Sequence, residues 1–187
     1  MELKTVYFEN PGEENTEEVL RIVKQQAEAL GIKTILVAST RGETAVKAVE
    51  ALKGFRVICV SHSAGFKEPD IQQFTKENRK IVERKGVPIV TAAHVFAGLS
   101  RAMKFQYNTY GLNEIMADML RIFGQGMKVA CEIALMAADS GLVRTDEEVI
   151  SIGGKSRGAD TAIVLKPVNT DRIFDLRVKQ ILCKPLL

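Results

Sequence analysis

No run of the sequence approaches the ~18 apolar residues that a membrane helix needs. The stretch Met1 to Glu9 has no uninterrupted apolar segment ending at a small-residue cleavage site. A membrane partner and a secretory leader are therefore not expected, and a cytoplasmic location is. Cysteine is scarce as well. Cys59, Cys131 and Cys183 are odd in number and far apart, without the paired spacing that a structural zinc or a disulfide framework requires. They read as small buried hydrophobes in a reducing compartment, and no metal is expected. Also lacking are a low-complexity linker, an internal repeat and a block of like charge, so nothing marks a domain boundary in 187 residues. The 26 Lys and Arg and 23 Asp and Glu are scattered instead of gathered into the stripe that tracks a phosphate backbone, which argues against nucleic acid as a partner.

What is present alternates between two periodicities. Thr5 to Phe8 is a short β-rich run. Asn15 followed by Glu18 has the spacing of a capping box, opening a helix to about Leu30 that Gly31 closes, with Leu20, Val23, Ala27 and Leu30 as its apolar stripe. Thr34 to Ala38 and Phe55 to Val60 are continuous apolar runs rich in β-branched residues, as strands buried on both faces require, and a helix from Ala45 to Leu52 lies between them. A polar helix is expected from about Asp70 to Lys85, a strand from Val87 to Thr91, and two helices over Leu112 to Phe123 and Met127 to Ala138. Val149 to Ile152 and Thr161 to Leu165 complete the strands, with a further strand in the tail from Ile173 to Cys183. Strands separated by helices of this length imply right-handed crossovers and a mostly parallel α/β sheet covered on both faces. Such sheets bind ligands outside the carboxyl ends of their strands.

Four loops fall at those ends. Ser39, Thr40, Arg41, Gly42, Glu43 and Thr44 supply three hydroxyls, a guanidinium and a glycine at a helix start, where unpaired N–H groups and a partial positive charge suit a phosphate. The segment matches neither a Walker A loop nor a dinucleotide fingerprint. On spacing alone, capping by Ser39 or Thr40 and a simple turn at Gly42 explain it better than a phosphate site does. Gly154, Lys155, Ser156, Arg157 and Gly158 form a second loop, in which Lys155 and Arg157 could neutralise a phosphate; a solvated hairpin loop is the alternative. His62 with Gly65 and Phe66, and His94, follow two further strands, so the only two histidines are expected at the same rim. Asp139 reads as part of a helix terminus closed by Gly141, and Glu132, amid apolar neighbours, as one half of a structural ion pair.

The segments Ser39 to Ala45 and Val149 to Gly158, each with its flanking strand, resemble the two effector-phosphate loops of the pyruvate kinase C-terminal domain. Over nearly its whole length the chain resembles the stand-alone archaeal family named for that domain. Asn15 to Glu18, Ala137 to Gly141 and Gly158 to Ala162 carry that likeness. The resemblance implies a three-layer α/β/α sandwich with strand order 3-2-1-4-5, the last of the set antiparallel, and a single domain. It also implies flavin mononucleotide, or another phosphorylated small molecule, as the ligand to test. The metal-binding barrel that transfers phosphoryl groups in pyruvate kinase has no counterpart in these residues, so the resemblance reaches a regulatory domain and not that activity. Three functions follow as expectations: a binding domain for a phosphorylated ligand, a flavin-dependent or phosphometabolite enzyme using the same loops, and an interaction module. A homo-oligomer is compatible with each.

Overall fold

The computed structural model describes residues 2–186. It holds seven strands, β1 (Val6–Phe8), β2 (Thr34–Ala38), β3 (Arg56–Ser61), β4 (Ile89–Thr91), β5 (Val149–Gly153), β6 (Thr161–Lys166) and β7 (Arg177–Pro185). Six helices connect them: α1 (Thr16–Leu30), α2 (Glu43–Ala51), α3 (Lys76–Arg84), α4 (Gly98–Tyr107), α5 (Leu112–Arg121) and α6 (Gln125–Asp139). The strands form one sheet in the order β1-β7-β6-β5-β2-β3-β4, in which β6 alone runs against the others. Counted from β2, five consecutive strands give the expected order 3-2-1-4-5 with an antiparallel fifth. β7 and β1 extend that edge.

Alternation along each strand divides the core. Ile35 and Val37 of β2 and Ile150 and Ile152 of β5 face α1 and α2, packing on Val19, Leu20, Val23, Ala48 and Val49. Leu36, Ile58 and Val149 point the opposite way, onto Met127, Ala130, Cys131, Ala134 and Ala137 of α6. Each large aliphatic side chain so buried stabilises the fold by roughly 1.5–3 kcal/mol. A second short cluster, Ala45, Cys59, Phe74 and Val82, seats α3 beside α2. Helix α6 is buried around almost its whole circumference because the sheet lies on one side and α5 with the 170–175 turn on the other. The three cysteines are free and buried, and burial pushes each thiol up to about 12, so they are inert packing residues. No helix among the described residues is long and apolar enough to cross a membrane.

Several boundaries depart from the sequence reading, each for a local reason. A 3₁₀ turn, Glu13–Asn15, precedes α1, and Asn15 itself takes helical angles. Its amide donates backward to Asn10 O at 2.8 Å while Glu18 pairs with Arg21, so no capping box forms. Leu30 is 46% exposed and falls off the apolar stripe. Residues 70–75 are loop and not helix. Asp70, after Pro69, sits at φ 63, Gln72 and Gln73 bond to His62, and Thr75 in extended conformation caps α3 by accepting from Asn78 N at 3.2 Å. The tail strand begins only at Arg177, because residues 170–175 wind into a 3₁₀ turn whose Thr170 N–H donates to Asp139 Oδ1 at 3.0 Å. Helix α4 has no counterpart in the sequence reading.

Candidate functional site

The carboxyl ends of β2, β3, β4 and β5 point to one edge, and β2 and β5 are neighbours from which the chain winds in opposite directions. Loops part at such a switch point, and here they leave a cleft of about 1280 Å³. All the site residues expected from sequence line it except Gly42, Gly65 and Lys155. Gly42 lies behind the wall: at φ 104, a Cβ there would stand 2.4 Å from Asn78 Cβ and 2.6 Å from the Phe74 ring. Gly65 turns away, its N–H bonded to Ile71 O, and the exposed Lys155 stands at the loop tip.

The β2–α2 loop is braced before any ligand arrives. Arg41 O accepts from Thr75 N and from Asn78 Nδ2, both at 3.1 Å. Ser39 is buried, and its hydroxyl accepts from Gly42 N at 3.2 Å and Ala45 N at 3.3 Å. That is the capping alternative, and it occupies the acceptor lone pairs of Ser39 Oγ within its own loop. The Glu43 and Thr44 N–H groups at the start of α2 lie between those two and are not engaged by it. The β5–β6 loop is braced as firmly. Asp160 accepts from Lys155 N at 3.1 Å and Thr161 Oγ1 at 2.7 Å, and Ala159 N donates to Thr16 Oγ1 at 3.0 Å. Burial raises the Asp160 carboxyl above its ordinary value. Gly158, at φ 68, backs directly on Glu13 and Thr16 of the α1 entry, and the tip from Lys155 to Arg157 is left exposed.

A ring cluster forms the adjoining wall. The His62 and Phe66 centroids are 4.2 Å apart, His62 and His94 4.8 Å, and Phe66 and His94 5.3 Å. The Arg101 guanidinium from α4 lies 4.2 Å from the Phe66 centroid. His62 Nδ1 stands 3.0 Å from Gln73 Oε1, an acceptor, which assigns the ring proton to Nδ1. Nε2 then accepts from the Thr40 hydroxyl at 3.3 Å. Desolvation lowers the His62 value, against a smaller opposing effect of Gln73. Desolvation lowers His94 further, to about 4. Both imidazoles are neutral at pH 7, so the 3.7 Å approach of His94 Nδ1 to Glu132 Oε2 is not an ion pair there.

The cleft floor holds residues that sequence reasoning set aside or missed. Glu132 does form its ion pair, with Lys128 Nζ at 2.5 Å, and both are buried. It also accepts from Phe96 N at 3.0 Å, tying the β4–α4 loop that carries His94 to α6. Desolvation lowers Lys128, partly offset by Glu132. Two charges four apart in an otherwise apolar helix were the available signal. Arg101 and Gln73 gave none, since one sits on an unassigned helix and the other on a segment read as helix. Of the cleft's cations, Lys67, Arg101 and Arg157 have no ion-pair partner among the described residues, whereas Arg41, Lys47, Arg121 and Lys128 are paired. No group of three His, Cys, Asp or Glu side chains that could hold a metal ion occurs among the described residues.

Fold and cleft define a doubly wound α/β domain with a loop-built pocket at its topological switch point. More specifically, the chain belongs to the family of the pyruvate kinase alpha/beta domain, whose family model matches residues 17–165. Among solved structures it is similar to a pyruvate kinase from Cryptosporidium parvum, at 11% identity and a TM-score of 0.40, over 82% of this chain and 23% of that one. A structure of Cryptosporidium parvum pyruvate kinase in complex with ADP gives 13% identity and 0.37, again over 82% and 23%. An NH3-dependent NAD synthetase from Campylobacter jejuni subsp. jejuni, in complex with the nitrate ion, gives 14% and 0.36 over 73% and 54%. The chain spans about a quarter of the length of the kinases.

Proposed function

We propose that this chain is a binding domain for a phosphorylated small molecule with a flat ring, flavin mononucleotide being the ligand to test, and that it has no pyruvate kinase activity of its own. The observation that carries the reading is the convergence of the 39–44 and 154–158 loops on one cleft that also contains the His62, Phe66 and His94 rings. A phosphate there would accept from the Glu43 and Thr44 N–H groups at the start of α2, from the Thr44 hydroxyl, and from the free guanidinium of Arg157. A planar ring would lie against the ring cluster, with Arg101 as its cationic neighbour. Hydrogen bonds to a charged group contribute roughly 1.5–3 kcal/mol each, so losing two weakens binding about a hundredfold or more. Fluorescence titration should therefore give flavin mononucleotide a dissociation constant in the micromolar range or below and riboflavin one at least a hundredfold higher. Arg157→Ala should narrow that gap. Equal affinity for the two flavins would remove the phosphate anchor from the reading.

One observation favours a second reading, an enzyme acting on a phosphorylated metabolite. Thr40 Oγ1, His62 Nε2, His62 Nδ1 and Gln73 Oε1 form a continuous relay, and a neutral imidazole held in a fixed tautomer is suited to general base work. In a turnover screen of phosphorylated metabolites, His62→Gln would abolish turnover and leave binding within a few-fold if that reading holds.

A further inference from the structure

A buried ammonium is costly unless it is paired, and a buried ion pair is weak evidence for stability, since apolar residues of the same volume serve as well. Lys128 of α6 is such a group, its side chain only 7% exposed and paired with Glu132. The pair therefore calls for another use, and its place in the fold supplies one. Helix α6 begins directly against the end of β5: a Cβ on Gly153 would stand 2.9 Å from Ala130 N, and one on Gly126 would stand 2.5 Å from Asp160 Oδ1. The first turn of α6 is thereby fixed at the root of the 154–158 loop. Lys128 lines the cleft together with that loop and the His62, Phe66 and His94 rings. Beyond Glu132 stands His94, its Nδ1 3.7 Å from Glu132 Oε2. An amine, a carboxylate and a neutral imidazole thus meet on the cleft floor. Desolvation lowers Lys128, and a desolvated lysine amine is the kind that forms Schiff bases.

We infer that Lys128 is a nucleophile that forms an imine with an aldehyde or ketone carbonyl of the bound ligand. The inference rests on the phosphate anchor proposed above and narrows the ligand to a phosphorylated carbonyl compound. Glu132 takes one proton from the ammonium and returns it to the carbonyl oxygen once Nζ has added to the carbon. It then moves a second proton from the nitrogen to that oxygen, which leaves as water while the nitrogen lone pair closes the C=N bond. The products are a protonated imine and water, so no proton, electron or further reactant is left over. His94, neutral at pH 7, sets no second cation beside the iminium, whose charge Glu132 balances.

Pyridoxal phosphate is the probe, because it joins an aldehyde to a flat ring and a phosphate. Added to the full chain in equimolar amount at pH 7, it should give the visible absorption of an imine. Borohydride reduction and peptide mass spectrometry should then place one pyridoxyl group per chain on Lys128. Pyridoxal, which lacks the phosphate, should need roughly a hundredfold higher concentration for the same labelling. Lys128→Met should abolish both the absorption and the adduct. Because that change leaves Glu132 buried and unpaired, Lys128→Met with Glu132→Leu repeats the test without a stranded charge, and the mapping on the wild type needs no variant. Labelling confined to exposed lysines such as Lys67 and Lys155, or no labelling, overturns the inference. The phosphate reading would survive that failure if flavin mononucleotide still outbinds riboflavin. Equal labelling of Lys128 by pyridoxal would instead uphold the nucleophile and refute the phosphate anchor.

Discussion

Acidification from pH 7 to pH 4 isolates the cost of keeping His94 neutral. An unfolded chain binds the imidazole proton at the ordinary value of 6.5, whereas the native chain binds it only near 4, because desolvation outweighs the attraction of Glu132. Between those values the unfolded state takes up a proton that the native state refuses, so stability is fully present above 6.5 and falls as pH drops toward 4. At ~1.36 kcal/mol for each pH unit, the interval from 6.5 to about 4 amounts to roughly 3 kcal/mol. That is a large fraction of the ~5–15 kcal/mol that holds a domain together. Desolvation is the largest cause; of the groups around the ring Glu132 favours protonation, while His62, Lys128 and Arg101 oppose it.

Other groups titrate over the same range, so the assay is a difference between two proteins. Urea unfolding at half-unit steps of pH on the wild type and on His94→Gln removes what they share. The shared background includes the raised Asp160, which gains relative stability as pH falls, and the lowered Asp139 and Asp146, which lose it. The wild type should lose about 3 kcal/mol more than the variant between pH 7 and pH 4. Parallel curves would show that His94 titrates normally, and the account of a desolvated His94 ring would fail.

Glu132→Ala should cost about 3–5 kcal/mol, since it strands the buried Lys128 and frees Phe96 N–H, while Lys128→Met with Glu132→Leu should cost only the ~1–3 kcal/mol of the unpaired Phe96 N–H; thermal and urea denaturation distinguish the two. Gly158→Ala should cost roughly 1–3 kcal/mol from overlap, its Cβ falling 2.4 Å from Glu13 Cα, and a further ~1–2 kcal/mol for the left-handed φ. An unchanged urea midpoint would mean that the β5–β6 loop is not seated on α1. The 187-residue chain should not convert phosphoenolpyruvate and ADP to pyruvate and ATP, because charge on the transferring group would go unstabilised without the barrel's metal-binding acids. Metal-dependent turnover above a no-enzyme control would refute it.

The continuous apolar runs made the sheet readable because a strand buried on both faces leaves no polar period to confuse it with an amphipathic helix. β2, β3, β5 and β6 all fall within a residue or two of their expected ends. Errors gathered where side chains and not periodicity decide the backbone. At 70–75 the hydrogen bonds of Gln72 and Gln73 to His62, with the buried Phe74, hold an irregular loop that a polar composition cannot distinguish from a surface helix. At α4 none of the ten residues is buried, so the usual link between helical period and core has no force there.

The site divides along the same line. Its loops could be placed from sequence because a parallel sheet sends every β-to-α loop to one edge, a consequence of crossover handedness and not of any one residue. The chemistry between the loops could not, since it depends on chains of contact across distant segments. Gln73 orients His62, Glu132 anchors the His94 loop through Phe96 N–H, and Arg101 reaches Phe66 from α4. The Lys128 and Glu132 pair is the instructive case. Read alone, it explains itself as an ion pair and stops the inquiry. In the fold one member of that pair also fixes the loop bearing His94, so the pair sets the position of a ring in the cleft as well as balancing its own charge.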